Sequence, residues 1–278
     1  MRIGPVGLRV GADWRQPIAQ LATLYSDYPA PDVPDATVRL EAGRPWRRWL
    51  RPAVHIRGDL ELPGALPLPL AQGLLAAEMG MNLQVALGWR RHLLLHASVV
   101  ERDGRAVVMT GESGSGKSTL AALLMMRGWR LLGDEFALLE LATGLLHPFP
   151  RAISLKNASI DVVQRAAPAG RWGPLLRGTP KGDIRHLMPD APAVAAMDVP
   201  ARPVALLFPR HGVAPEQRPV PPSEAFVRLT QASTNYVALG EAGFTALTRF
   251  VREVPATAVD FTESADAIAA VEAAWTAG

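Results

Sequence analysis

Residues 71–147 contain no proline, whereas ten of the 25 prolines fall in residues 1–70, fourteen in 148–222 and one at Pro255. Proline lacks the N–H that helix interiors and strand ladders require. A long stretch free of it, in a chain otherwise rich in it, predicts continuous regular structure there. The 278 residues suffice for one large domain, or a medium domain with a small partner, around a real core. The expected division is a small α+β region over 1–70 and a main domain over 71–278.

Composition excludes several classes. There is no cysteine, hence no disulfide frame, thiolate metal site or thiol nucleophile. At 49% apolar and 20% charged the chain is globular rather than disordered. The net charge of +3 is too thin for coating nucleic acid, despite a pI of 9.7 that arginine inflates. No apolar run reaches about 18 residues, and the start lacks the apolar core of a secretory signal. The expectation is a cytoplasmic protein with no membrane span and no nucleic-acid partner. Only three of the 29 Lys+Arg are lysines, Lys117, Lys156 and Lys181. A lysine kept against such a skew is a candidate for work that arginine cannot do.

In the first region, Arg2–Val10 and Ala36–Glu41 read as strands and Ile18–Tyr25 as a helix, with Pro29, Pro31 and Pro34 marking a loop. Arg44–Arg51 (RPWRRWLR) reads either as a grip for nucleic acid or acidic peptide, or as a surface strand whose Trp rings pack inward under Arg stems. Residues 71–91 read as a mostly buried helix, with Glu78 and Asn82 forming a surface pair.

Two apolar runs then flank Asp103-Gly104, a two-residue hairpin signal. That register pairs Arg102 with Arg105 and sets His96 opposite Gly111, with Ser98 on the same strand face as His96. The hairpin leads into Gly111–Thr119, GESGSGKST, which fits G-x-x-x-x-G-K-[ST] in full. In such a loop Gly111, Glu112, Ser113, Gly114, Ser115 and Gly116 curl their N–H groups around phosphate oxygens. Lys117 reaches the β/γ oxygens, Ser118 can ligate Mg²⁺, and Thr119 opens the following helix with its positive dipole end. The apolar strand Ala106–Met109 enters the loop, and the helix Ser118–Arg127 leaves it and stops at Gly128. A second strand, WRLL, ends in Asp134-Glu135 on the edge where the phosphates belong. Two adjacent acids there suit two tasks, holding Mg²⁺ and accepting a proton. His96 is either a satisfied core histidine or one that orients a catalytic acid.

Together His96, GESGSGKS (Gly111–Ser118), Gly128 and Asp134-Glu135 resemble the catalytic domain of the bacterial HPr kinase/phosphorylase family, closest to its HPr-kinase-related kinase A group. The resemblance is close over 93–140 and weak over 141–260. Phosphoenolpyruvate carboxykinases share a similar loop and paired acids but are much longer. The resemblance implies an α/β, phosphate-loop kinase core that uses ATP and Mg²⁺ and forms homo-oligomers. By it, Asp134 would be the base toward the acceptor hydroxyl, supported by His96, and Glu135 with Ser118 would hold Mg²⁺. The family's second signature is absent. Ile153–Val163 stands in its place, with Lys156-Asn157 where that signature has its glutamate. This departure implies that phosphorylase activity is lost and that HPr is not the substrate.

Lys156 follows a strand-like ISL and is a candidate to stabilise the transferred phosphoryl group. Lys181, with Arg185, lies in RGTPKGDIRH (Arg177–His186), which reads as a basic lid loop over phosphates. Further on, Ser223–Ala238 reads as a helix leading into a strand. VDFTESADAIAAVEAAW reads as a strand, a cap at Thr262 or Ser264, and a closing helix. The leading expectation is an ATP- and Mg²⁺-dependent kinase acting on a hydroxyl or carboxylate of an unidentified protein, peptide or small molecule. The alternative is a nucleotide-binding regulatory or assembly ATPase without kinase activity. A transport or motor ATPase fits poorly, since no LSGGQ-like or helicase motif occurs.

Overall fold

A computed structural model describes the whole chain, Met1–Gly278, as a mixed α/β fold of three sheets and eight helices. The elements in chain order begin with β1 (Arg2–Ile3), β2 (Val6–Ala12), α1 (Arg15–Leu24), β3 (Ala36–Ala42), β4 (Ala53–Gly58), β5 (Leu68–Pro69) and α2 (Gly73–Gly88). The five strands form one sheet in sequence order. The stretch expected as one strand from Arg2 is a tight hairpin, because Gly4 turns with φ +52° and packs its bare Cα on the Pro148 carbonyl. The helix starts earlier than its apolar pattern suggested. Arg44–Arg51 is not an inward-packed strand. It is a loop containing a short 3-10 turn, Pro45–Arg48, with Trp46 51% and Trp49 79% exposed.

α2 packs on β3 and β4 and is buried on most of its surface, as its all-round apolarity predicts. Glu78 and Asn82, expected at the surface, point inward to Arg151. The Glu78 carboxylate pairs with the Arg151 guanidinium and accepts from Tyr25 Oη at 2.8 Å, and Asn82 Oδ1 accepts from Arg151 Nη1. A partner 69 or more residues away left no local trace in the sequence. One continuous core joins Leu8, Val38 and Val54 through Leu74 and Met81 to Leu94, Phe136 and Phe149. The expected boundary at residue 70 thus falls between the N-terminal sheet and the helix that covers it.

The main sheet has eight strands, built from β6 (His92–Arg102), β7 (Arg105–Thr110), β8 (Arg130–Gly133), β9 (Phe136–Glu140), β10 (Leu146–His147), β14 (Arg202–His211), β15 (Glu216–Val220) and β16 (Ala256–Phe261). Arg102 pairs with Arg105 and Ala97 with Thr110, the register expected from Asp103-Gly104. β7, β14 and β16 run parallel side by side, so their carboxyl ends share one edge. β8 runs in the direction of β7, with β6 between them. Helix α3 (Lys117–Met125) connects β7 to β8.

Beyond β10 lies a three-stranded sheet of β11 (Ile153–Lys156), β12 (Leu176–Thr179) and β13 (Gly182–Leu187), with α4 (Ala158–Ala166) following β11 and α5 (Ala191–Ala195) following β13. The expected lid loop Arg177–His186 is therefore a β-hairpin, paired through β13 to β11. Its Pro180-Lys181 turn explains why Gly and Pro there resembled a loop. The segment after β15 holds two helices, α6 (Pro222–Ala232) and α7 (Tyr236–Glu253), and no strand. The last helix, α8 (Ser264–Ala277), has Glu263 at its N-cap without a side-chain capping bond, rather than Thr262 or Ser264. No helix is long and apolar enough to cross a membrane.

Candidate functional site

A cleft of about 640 Å³ opens where the parallel strand ends, the Gly111–Thr119 loop and the β11–β13 sheet meet. Of the residues singled out from the sequence, His96, Ser113, Gly114, Gly116, Lys117, Ser118, Thr119, Asp134, Glu135, Lys156 and Lys181 line it, whereas Gly111, Glu112, Ser115 and Arg185 do not. All three lysines of the chain line it.

The loop wraps from the end of β7 into α3. Gly116, the N-cap of α3, has φ +95°, and a Cβ there would stand 2.9 Å from Phe261 Cζ. Only glycine meets both demands without strain. The N–H groups of Lys117, Ser118 and Thr119 have no acceptor within the protein. They are the unsatisfied donors of a helix start and carry its positive dipole end. Lys117 is buried among them, its Nζ donating to the carbonyls of Gly111 (2.7 Å) and Glu112 (2.8 Å) and to Ser115 Oγ (3.3 Å). Burial holds its pKa below the ordinary lysine value, with Asp134 and Glu135 acting in the opposite direction.

Beside the loop, in the same cleft, stand the two acids. Val99 pairs with Gly133 and His96 with Phe136 in one register, so Ser98 faces Asp134 and Ala97 faces Glu135. The acids interrupt a strand line that continues as β9, rather than ending a strand at a turn. The interruption is conformational: Glu135 has φ +93°, sparsely populated for a side-chain-bearing residue. Asp134 is 2% exposed. Its Oδ1 accepts from Ser98 Oγ, and its Oδ2 has no partner. Burial, then the charge of Glu135, pushes its pKa up to about 6, against the opposing pull of the Ser98 and Ser118 hydroxyls.

His96 lies beside these acids. Its Nδ1 is 3.1 Å from the Glu135 carbonyl and 3.5 Å from Glu135 Oε2, and its own carbonyl accepts from Thr110 Oγ1 at 2.9 Å. It contacts Glu135, and no bond joins it to Asp134.

Lys156, at the end of β11, and Lys181, at the hairpin turn, also line the cleft. Arg185, expected as a companion of Lys181, points elsewhere. Its Nε donates to Gly173 O (2.9 Å) and its Nη1 to Gln164 Oε1 (3.0 Å), with the guanidinium over Trp172. Residues alternate faces along a strand, and Arg185 pairs with Leu155 rather than Lys156.

Sequence reasoning missed His211 and Phe261. Their rings lie 5.3 Å apart at the carboxyl ends of β14 and β16, beside Gly116. Phe261 was findable, since a strand ending at the parallel edge delivers its last residue to the site. β14 was hidden because Pro203 and Pro209 punctuate it. Asn157 was seen only as a departure from a signature. With φ +49° it bonds Asp183 through both backbone and side chain, fixing the hairpin beside the cleft.

The oxygen donors Ser118, Glu135 and the unpartnered Asp134 Oδ2 suit a hard cation, but no three acidic or imidazole groups converge into a cage. Such a set suits Mg²⁺, which keeps waters and phosphate oxygens as ligands.

Residues 78–167 match the family described as SynChlorMet cassette protein ScmC. No curated protein matches the chain. Among solved structures, the Hpr(Ser) kinase/phosphatase from Coxiella burnetii is similar at 16% identity, covering 66% of this chain and 99% of that one, with a TM-score of 0.29.

Proposed function

We infer that the cleft binds a nucleoside triphosphate, in the first place ATP with Mg²⁺, and transfers its terminal phosphoryl group to a hydroxyl of an acceptor that is not HPr. The observation that carries this reading is Asp134: a buried carboxylate with one free oxygen and a pKa of about 6, in the same cleft as a glycine-bounded helix start. An anion-binding loop alone would need no such group. Placed together, the two supply what in-line transfer requires, a cradle for the phosphates and a base for the nucleophile.

The chain's residues divide the work. The free N–H groups of Lys117–Thr119 and the Lys117 ammonium hold the β- and γ-phosphate oxygens. Ser118 and Glu135 would hold Mg²⁺, which would supply charge neutralisation for the phosphates. The Asp134 carboxylate takes the proton of the acceptor hydroxyl as its oxygen forms a bond to the γ-phosphorus. The bond from that phosphorus to the β,γ-bridging oxygen breaks, and ADP leaves. Ser98 fixes the carboxylate, Glu135 and His96 shape its field, and Lys156 and Lys181 neutralise charge on the transferring group.

The test is transfer of labelled γ-phosphate by wild type, Asp134→Asn and Lys117→Ala, with nucleotide affinity measured alongside. A kinase loses transfer in the first variant while keeping nucleotide affinity, and loses affinity in the second. A nucleotide-binding regulator shows the same loss of affinity at Lys117 but no transfer in wild type.

A further inference from the structure

The Arg44–Arg51 loop is absorbed by none of this. Trp46 and Trp49 are more than half exposed and Leu50 is 65% exposed, beside four arginines within eight residues. Arg48 alone meets an acid, Asp13, at 3.6 Å, and Arg44 lies over Trp46. Exposed tryptophans ordinarily fold away or lie on a mobile tip. Here the backbone holds them out. Trp49 N and Leu50 N donate to Trp46 O, Arg47 Nη1 donates to Arg51 O, and Trp14 Nε1 donates to Arg48 O at 2.9 Å.

The loop is also tied to elements that reach the cleft. Pro52 O accepts from Leu70 N, Ala53 pairs with Pro69, and Gln72 Nε2 donates to Gly178 O at 3.2 Å. Gly178 belongs to the β12–β13 hairpin whose turn puts Lys181 in the cleft. Leu175 and Arg177, at the start of that hairpin, are exposed.

We propose that this loop is the docking surface for an acidic segment of a polypeptide partner, anchored by an apolar or aromatic side chain on Trp46 and Trp49. The assignment of that partner as the phosphate acceptor rests on the kinase reading. Charge complementarity selects the occupant. Arg44, Arg47 and Arg51, which meet no acid, attract carboxylates, and two aromatic faces three residues apart take side chains. The neighbouring elements are mixed in sign, with Asp13, Glu41, Asp59 and Glu61 beside Arg15, Arg39 and Arg57, so no broad basic face extends from the loop. A lipid plane or a nucleic-acid backbone needs a broader basic face.

The experiment uses the full chain and a fluorescein-labelled peptide of alternating Glu and Phe, read by anisotropy. Wild type binds it, and binding weakens with salt. Arg44→Glu/Arg47→Glu weakens it at least about tenfold, and Trp49→Ser several-fold, with unchanged melting temperatures. Equal binding by wild type and variants, or none by wild type, overturns the proposal. So does tighter, loop-dependent binding to phosphatidylserine vesicles or an oligothymidylate than to the peptide. ATP affinity, measured on the same variants, stays at the wild-type value. A failed nucleotide site and a failed docking surface are therefore read separately.

Discussion

Ser98 donates its hydroxyl hydrogen to Oδ1 of Asp134 across the β6–β8 line, leaving Oδ2 without a partner. The bond holds a buried carboxylate in one orientation and opposes the burial that raises its pKa, which stands at about 6 with the bond in place. Ser98→Ala removes that opposing pull. The acid limb of the transfer rate, which for wild type rises through about pH 6 as Asp134 loses its proton, moves to higher pH. An unmoved limb would mean that another group limits the rate.

Asp134 should also cost stability. Its pKa is higher in the fold, about 6, than the ordinary 3.8, so the folded state binds the proton more tightly. The penalty is absent below about pH 4, where both states are protonated, and complete above about pH 6. Asp134→Asn is therefore expected to stabilise the protein at pH 7, by on the order of 1–3 kcal/mol, and to do so far less at pH 4. Denaturant unfolding at the two pH values checks this. A stabilisation equal at both would show that the charge is not the cause.

The Arg151–Glu78 pair tests how the N-terminal sheet is held. Both side chains are buried, and Tyr25 and Asn82 complete the network. Glu78→Ala strands a buried guanidinium and is expected to cost about 3–5 kcal/mol by chemical denaturation. Adding Arg151→Leu should recover part of that loss.

Gly116→Ala places a methyl group 2.9 Å from Phe261 Cζ at φ +95°. Phe261→Leu relieves the contact but not the dihedral, which costs about 1–2 kcal/mol. Nucleotide affinity should fall in the single variant and recover only partly in the double, by calorimetric titration.

What the sequence revealed was what local chemistry determines. Asp103-Gly104 determined a hairpin register that held residue for residue, and GESGSGKST its strand, loop and helix. Asp134-Glu135 lay beside that unit, at a spacing the crossover dictates. What stayed hidden depends on distant partners. Glu78 resembles a surface residue until Arg151 arrives, and Arg185 resembles a phosphate ligand until β13 register turns it toward Gly173. Trp46 and Trp49 stay exposed where apolar residues are expected to fold inward. Proline misled in both directions, disguising β14 and making a hairpin at Pro180 resemble a lid.

The most direct test of the account incubates purified protein with γ-labelled ATP, Mg²⁺ and a cell extract heated to inactivate its own kinases. Wild type should label an acceptor, and Asp134→Asn should label none while binding ATP as wild type does. Labelling by Asp134→Asn at the wild-type rate would contradict the assignment of Asp134 as the base.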